Sequence, residues 1–252
     1  MTILFRMRKI KKYWIFGNGE LDFNKLSKSK YVSRREIAAQ HHRTPKEILL
    51  KLSKDRAYRV RRWVAKNKNT PKEALKELAT DPKEEVRIAV ASNDRVDSEV
   101  LASLYSKYSS NKYICICVAR NKSTPKDTLF HLANSKNKYV LSELIKRKNV
   151  PSKILAQLAN NKSITIRYNV ARCPKTNSRI LSMLAKDKEP AVRIYVALHK
   201  NTPINSLIDL SLDKYSWVRI NVAYNKRTPR EILTGLAVDE EVGIRKATLK
   251  HE

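Results

Sequence analysis

The stretch Val60-Arg61-Arg62-Trp63-Val64-Ala65-Lys66-Asn67-Lys68-Asn69-Thr70-Pro71-Lys72-Glu73-Ala74-Leu75-Lys76-Glu77-Leu78-Ala79-Thr80-Asp81 decides the fold of the chain around it. With Pro71 as the reference position, the same pattern returns around Pro45, Asp97, Pro125, Pro151, Asn177, Pro203 and Pro229. The spacing is 26 residues throughout, except for one step of 28 between Asp97 and Pro125. Leu stands four residues after the reference in every copy (Leu49, Leu75, Leu101, Leu129, Leu155, Leu181, Leu207, Leu233) and again at +7, from Leu52 to Leu236. A register held through eight copies points to stacked structural repeats rather than to one globular enzyme core.

Each copy carries two helix-start signals. In Thr44-Pro45-Lys46-Glu47, Thr70-Pro71-Lys72-Glu73 and Thr228-Pro229-Arg230-Glu231, Thr is expected at the N-cap, Pro at the first helical position and Glu at the third. A helix of about ten residues should follow, with Leu at +4 and +7 on one face. It should end near an acid or amide at +10: Asp55, Asp81, Asn161, Asp187, Asp213 and Asp239. Asp81, in Asp81-Pro82-Lys83-Glu84, is expected to cap a second, shorter helix in the same way. That helix has Val or Ile at −11 in every copy but the first, where Arg34 stands, an apolar residue at −7, and usually Ala at −6. Two such short helices bury too little to be stable alone, so the copies must stack into one continuous core. The fold class expected is an all-α solenoid of eight two-helix repeats.

The pattern Val-Arg-x-x-Val-Ala-x-Asn-x-x-Thr-Pro-x-Glu-x-Leu-x-x-Leu-Ala-x-Asp, read from Val60 to Asp81 and matched again from Val218 to Asp239, resembles the leucine-rich repeat variant family. The resemblance extends over about residues 32–249. It implies an α-helix paired with a 3₁₀-type helix in each repeat, without strands, in a right-handed superhelix. An iron–sulfur cluster held by N-terminal cysteines, as in one member, is not carried over, because no cysteine precedes Cys115; no cofactor is expected. The solenoid is assigned to residues 31–252 and a cap segment to residues 1–30. In the latter, Tyr13-Trp14-Ile15-Phe16 and Leu21-Asp22-Phe23 flank Gly17-Asn18-Gly19 as in a turn or small hairpin, and Arg6-Met7-Arg8-Lys9-Ile10-Lys11-Lys12 forms a basic arm.

Charge is the dominant compositional feature. Fifty-three Lys+Arg against 24 Asp+Glu leave a net +29, which calls for a polyanionic partner, whether nucleic acid, an anionic membrane surface or an acidic protein, unless it is simply a Lys-rich solvated surface. Three cysteines make neither a disulfide framework nor a four-ligand metal site, and they suit a reducing, cytoplasmic setting. No apolar run approaches a membrane span, and the mixing of Lys and Arg into the first apolar residues argues against a signal peptide.

Arg recurs at −10, as Arg35, Arg61, Arg87, Arg167, Arg193 and Arg219, and Arg245 continues the series. Asp at +10 lies six residues before the next of these in Asp55/Arg61, Asp81/Arg87, Asp187/Arg193, Asp213/Arg219 and Asp239/Arg245. Where +10 is Lys107 or Ser135, the next −10 residue is Cys115 or Leu141, and Asn161/Arg167 is an intermediate case. Loss of the acid together with the Arg suggests an internal charge-assisted pair and not a phosphate-binding row.

The basic residues that the repeat does not need are the better surface candidates. They are Lys66, Arg120, Lys146 and Arg172 at −5, and Lys68, Lys122, Lys148, Lys200 and Lys226 at −3. Flanking the −4 corner, they would form a stripe able to follow a phosphate backbone without reading bases. Aromatics at −12 (Tyr113, Tyr139, Trp217) and −8 (Trp63, Tyr195) would either stack on bases or fill gaps between repeats. Catalytic signals are sparse: the histidines lack metal-ligand spacing, Cys115-Ile116-Cys117 is too tight to chelate, and there is no phosphate loop or nucleophile elbow. The leading expectation is a non-catalytic nucleic-acid-binding repeat protein. The alternatives are a scaffold for an acidic protein partner and, by analogy of fold alone, a helical-repeat DNA glycosylase.

Overall fold

The computed structural model describes residues 21–251, which form short α-helices in two compact units divided after Thr128. The first holds α1 (Phe23–Ser27), α2 (Val32–Gln40), α3 (Lys46–Leu52), α4 (Tyr58–Lys66), α5 (Lys72–Leu78), α6 (Glu84–Ala91), α7 (Ser98–Tyr108) and α8 (Lys112–Arg120). Helix α9 (Lys126–Leu132) spans the division. The second unit holds α10 (Lys138–Ile145), α11 (Ser152–Ala159), α12 (Ile164–Arg172), α13 (Ser178–Leu184), α14 (Pro190–Leu198), α15 (Ile204–Ser211), α16 (Ser216–Tyr224), α17 (Arg230–Leu236) and α18 (Val242–Thr248), closed by a 3₁₀ turn at Leu249–His251.

Within each unit the even-numbered helices stack directly on one another, α2 on α4 on α6 on α8, and α10 on α12 on α14 on α16 on α18. The alanines at −6, from Ala39 to Ala223, are fully buried between these helices, where a larger side chain would push the backbones apart. The odd-numbered helices pack their leucines against this stack. Every Leu at +7 is buried, and so is every Leu at +4 except the half-buried Leu233 near the chain end. At about 1.5–3 kcal/mol for each fully buried Leu or Val, this repeated spine is the main stabilising contribution. Each unit is thus an α-solenoid of the expected kind.

Local details differ from the sequence reading. The Thr-Pro helices are the shorter ones, seven residues in α3 and α5 against nine in α2 and α4. Both helices of a repeat are α-helical, and the 3₁₀ segment among the described residues is the terminal turn. Thr is not the N-cap. Pro45, Pro71 and Pro229 occupy that place with extended backbone and no side-chain cap. The threonine before each is buried and turns backward, its hydroxyl donating to the carbonyl six residues earlier, as in Thr124 Oγ1 to Val118 O (2.6 Å) and Thr228 Oγ1 to Val222 O (2.6 Å). A helix C-terminus leaves carbonyls without intrahelical donors, and the threonine satisfies one of them. Asp at +10 is likewise not an N-cap, since its Oδ1 accepts the N–H two residues on, as in Asp55 to Ala57 (2.8 Å), before the helix begins. Phe23, read as the far strand of a hairpin, starts α1, capped by Asp22 accepting from Lys25 N–H (2.9 Å). Residues 13–16 of that hairpin and the basic arm lie outside the described residues.

The arginines at −10 are internal, as expected, but their partner is a different aspartate. Arg35, Arg61, Arg167, Arg193 and Arg219 each grip the carboxylate twenty residues ahead, on Asp55, Asp81, Asp187, Asp213 and Asp239. The grip is side-on and bidentate, Nε to Oδ2 at 2.5–2.7 Å and Nη2 to Oδ1 at 2.9–3.0 Å. The residue six before each Arg contributes its backbone carbonyl instead, as in Arg61 Nη1 to Asp55 O (2.7 Å) and Arg35 Nη1 to Ser29 O (2.8 Å). The pairing therefore spans two odd–even helix junctions and locks neighbouring layers together. Asn161 is no intermediate carboxylate substitute, because Arg167 takes Asp187 and uses only the Asn161 carbonyl. Arg87 lacks a carboxylate, since Lys107 stands at +10. It instead places its guanidinium 4.3 Å from the centre of the Tyr108 ring and leaves a buried Nε without an acceptor.

Candidate nucleic-acid interface

The corner that carries the proposed stripe is built around the −4 residue. In unit 1, Asn67 Nδ2 donates to the carbonyls of Ala39 and His41, Asn93 Nδ2 to those of Ala65 and Asn67, and Asn121 Nδ2 to those of Ala91 and Asn93. Each amide oxygen accepts the N–H two residues on, at Asn69, Arg95 and Ser123. In unit 2, Asn225 Nδ2 donates to the Ala197 and His199 carbonyls and His199 Nε2 to Cys173 O (3.0 Å), while Asn201 N–H donates to His199 Nδ1 (3.0 Å). The result is a buried ladder of side chains joining successive corners. The sequence pattern contains this Asn, yet nothing in its spacing announces the role, because the acceptors are carbonyls one repeat away.

The ladder positions the stripe. A −4 side chain turned inward between layers leaves its neighbours at −5 and −3 facing out, and Lys66, Lys68, Arg120 and Lys122 in unit 1 are all exposed. Lys146, Lys148, Arg172, Lys200 and Lys226 in unit 2 are exposed too. Lys66 extends over the Trp63 ring (5.3 Å), and burial followed by repulsion from Arg62 lowers its pKa. Lys146 is paired with Glu143 (3.1 Å). The row in unit 1 is interrupted, because one corner supplies Ser92 and the exposed Asp94. In unit 2 the corners at residues 146–149, 172–175, 198–201 and 224–227 contain eight basic residues and no acid: Lys146, Arg147, Lys148, Arg172, Lys175, Lys200, Lys226 and Arg227. Arg147 takes the ladder position in the first of these, and burial lowers the pKa of its guanidinium.

Two adjoining hollows open along this row. One, of about 440 Å³, lies between Lys146–Lys148 and Arg172–Lys175 over Ile145 and Cys173. The other, of about 270 Å³, shares Arg172 and Pro174 and continues to Tyr195, Leu198, His199 and Lys200. Neither lining includes a carboxylate.

Residues 58–83 match the family model described as leucine rich repeat variant. A solved structure described as a leucine-rich repeat variant with a novel repetitive protein structural motif is similar over 89% of this chain and 88% of its own, at 22% identity and a TM-score of 0.68. The chain has the fold of a leucine-rich repeat variant. An engineered protein is also matched, over 91% of this chain and 86% of its own, at 13% identity and a TM-score of 0.37. No curated protein matches the chain.

The variant repeat places its aromatics unevenly. Tyr113, Tyr139 and Trp217 at −12 are 53%, 61% and 69% exposed, so they do not fill gaps between layers, and they stand at the other end of the even helices from the stripe. Trp63 and Tyr195 at −8 are half-buried, Tyr195 with its ring edge-on to Tyr168 at 4.5 Å. Two residues that the charge-based reading passed over lie in the stripe itself. At −5, after Lys146 and Arg172, the row continues with Leu198 and Tyr224, 45% and 41% exposed, and Lys250 Nζ lies 5.2 Å from the Tyr224 ring. The described cysteines do not fit a metal cluster: Cys115 and Cys173 are buried in separate layers, and no group of three potential His, Cys, Asp or Glu ligands converges among the described residues. No described helix is long and apolar enough to cross a membrane.

Proposed function

We propose that this protein is a non-catalytic module that binds nucleic acid through its phosphate backbone, along the corner row of −5 and −3 residues. The observation that supports this most directly is the segregation of charge in unit 2, where four successive corners contain eight basic residues, seven of them exposed, and no acid. Three of the unit's aspartates, Asp187, Asp213 and Asp239, are held by arginines inside the stack, and of the row's cations Lys146 is paired with Glu143. Repeats place equivalent cations at regular intervals, which suits a polymer of regularly spaced phosphates, and lysine ammonium groups neutralise phosphates without selecting bases. Such binding is driven by release of counterions, so affinity falls steeply with salt.

The test is a binding titration of the full chain against mixed-sequence nucleic acid over a salt series. Affinity should drop by orders of magnitude from low to physiological salt. Lys146, Lys148, Arg172 and Lys200 changed together to Glu should abolish it, whereas reversal of the same number of lysines on the leucine helices, Lys51, Lys76, Lys126 and Lys153, should not. Absence of binding at low salt sinks the reading. Equal displacement by polyglutamate would instead favour an acidic protein partner.

A further inference from the structure

We propose that the two adjoining hollows of unit 2 are nucleotide subsites for a single strand, with phosphates on the rim and bases turned inward; this rests on the phosphate-directed reading above. A purely backbone-binding rim needs cations on a polar surface. These hollows have cationic walls and an apolar floor. The larger is walled by Lys146, Lys148, Arg172 and Lys175 and floored by Ile145 and Cys173. The smaller is bounded by Arg172 and Lys200, with Pro174, Leu198 and the Tyr195 ring as its apolar faces. Tyr195 is held in place by its edge contact with Tyr168, so its ring is a fixed platform rather than a mobile surface aromatic. Arg172 and Pro174 are common to both hollows, which makes Arg172 the natural bridge for the phosphate that joins two consecutive nucleotides.

A duplex does not fill such a site. Its bases are stacked inside, and what it offers to a groove is a rigid charged backbone, which leaves the floor wet. A single strand rotates its bases out, and base contact with aromatic and apolar side chains is tolerant of sequence. The row continues in the same sense. At Leu198 and Tyr224 the −5 position changes from cation to exposed apolar and aromatic side chains, and Lys200 and Lys226 at −3 keep the charge beside them. Alternation of ring and cation is what successive bases and phosphates require.

The experiment uses fluorescence anisotropy with the full chain, a labelled single-stranded oligonucleotide and the same sequence as a duplex, each over a salt series. Leu198→Ser removes an exposed apolar wall without touching the packed core. It should weaken single-strand binding about fivefold or more while leaving the slope of log Kd against log salt, and the duplex affinity, as in the parent. Arg172→Gln should lower the single-strand slope by about 0.7, the contribution of one phosphate contact. If Leu198→Ser binds both forms as the parent does, or weakens both equally, the subsites are overturned while backbone binding stands. If neither form binds the parent at low salt, both readings fall. Displacement of the single strand by polyglutamate at matched charge also overturns the subsites, because that polymer has no base to place.

Discussion

Asn93 shows how much of the corner depends on one side chain. Its amide spends two donors and one acceptor on backbone groups of two repeats, all of them buried or half-buried. Asn93→Ala leaves those groups unsatisfied and should destabilise the protein by about 2–3 kcal/mol in urea denaturation. Asn93→His should recover part of that loss, since His199 performs the same task. The arginine pairs offer a sharper contrast. Arg193→Met strands the buried Asp213 carboxylate and should cost about 3 kcal/mol or more. Arg87→Met removes a guanidinium that has no carboxylate partner and a buried Nε without an acceptor, and should cost well under half as much. Comparable losses at the two positions would contradict the pairing described here. Both arginine and aspartate were legible as an internal pair; the register was not. An Asp six residues before an Arg and one twenty after it recur equally often, and only the layer geometry selects the second.

His199 adds a pH dependence of predictable sign. Its Nδ1 accepts from Asn201 N–H, so the neutral ring carries its proton on Nε2, facing Cys173 O. Burial lowers its pKa, and Lys200 adds to this against the opposing pull of the Cys173 carbonyl. His41, also at −4, is lowered by burial, His42 and Arg43. In the unfolded chain both histidines protonate near their ordinary value of about 6.5, so below that pH the unfolded state binds more protons and stability falls as pH falls. His199→Asn keeps the rung and should flatten the stability profile between about pH 7 and 5, measured by denaturant midpoints. The aspartates act lower. Burial raises Asp187 and Asp213, but the hydrogen bonds from Arg167 and Arg193, joined by the backbone N–H groups of Glu189 and Tyr215 and the nearby positive charges, together hold both below the usual carboxylate range. Their contribution is present above about pH 4 and is lost as pH falls through the lowered value.

The helices themselves show why a start signal is easier to find than its mechanism. Thr-Pro marks the starts of α3, α5, α9, α15 and α17 correctly, because Pro cannot continue the helix before it and has the backbone angle that begins the next. The expected cap was nevertheless misassigned. Thr202, fully buried, points back to the Val196 carbonyl at the end of α14 and so ties the end of one helix to the start of α15. Thr202→Val preserves shape and deletes the hydroxyl, and should destabilise by about 1–2 kcal/mol, more than the loss of an exposed N-cap bond would explain at such a shielded site. Thermal unfolding of this variant beside Thr202→Ser, which retains the donor, separates the hydrogen bond from packing. A Thr202→Val midpoint equal to the parent would rule out the backward bond. The helix lengths were misjudged for a related reason. The apolar positions fix which face of a helix is buried, but where it stops depends on carbonyls and carboxylates from the adjoining layers.

Across the molecule, the excess of Lys and Arg is not spread evenly over the repeat. In unit 2 the connections that follow α13, α15 and α17 mix acids with bases, as in Lys186-Asp187-Lys188-Glu189, and their aspartates are drawn into pairs, whereas the connections that precede the leucine helices of that unit contain bases and no acid. The apparent phosphate count from a salt series should therefore fall when corner lysines of unit 2 are reversed and stay constant when exposed lysines of α3 and α5 are reversed. A 26-residue period, with leucines at +4 and +7 and alanine at −6, suffices to specify paired helices that stack, because such short helices have no other way to bury their apolar faces. The outward stripe follows from the same period. What required three-dimensional packing was everything that joins one layer to the next: the twenty-residue arginine register, the ladder at −4, the backward threonine, and the hollows beside Arg172. Each of these is a contact between groups that a local pattern treats as independent, and its geometry exists only once the neighbouring repeat is in place.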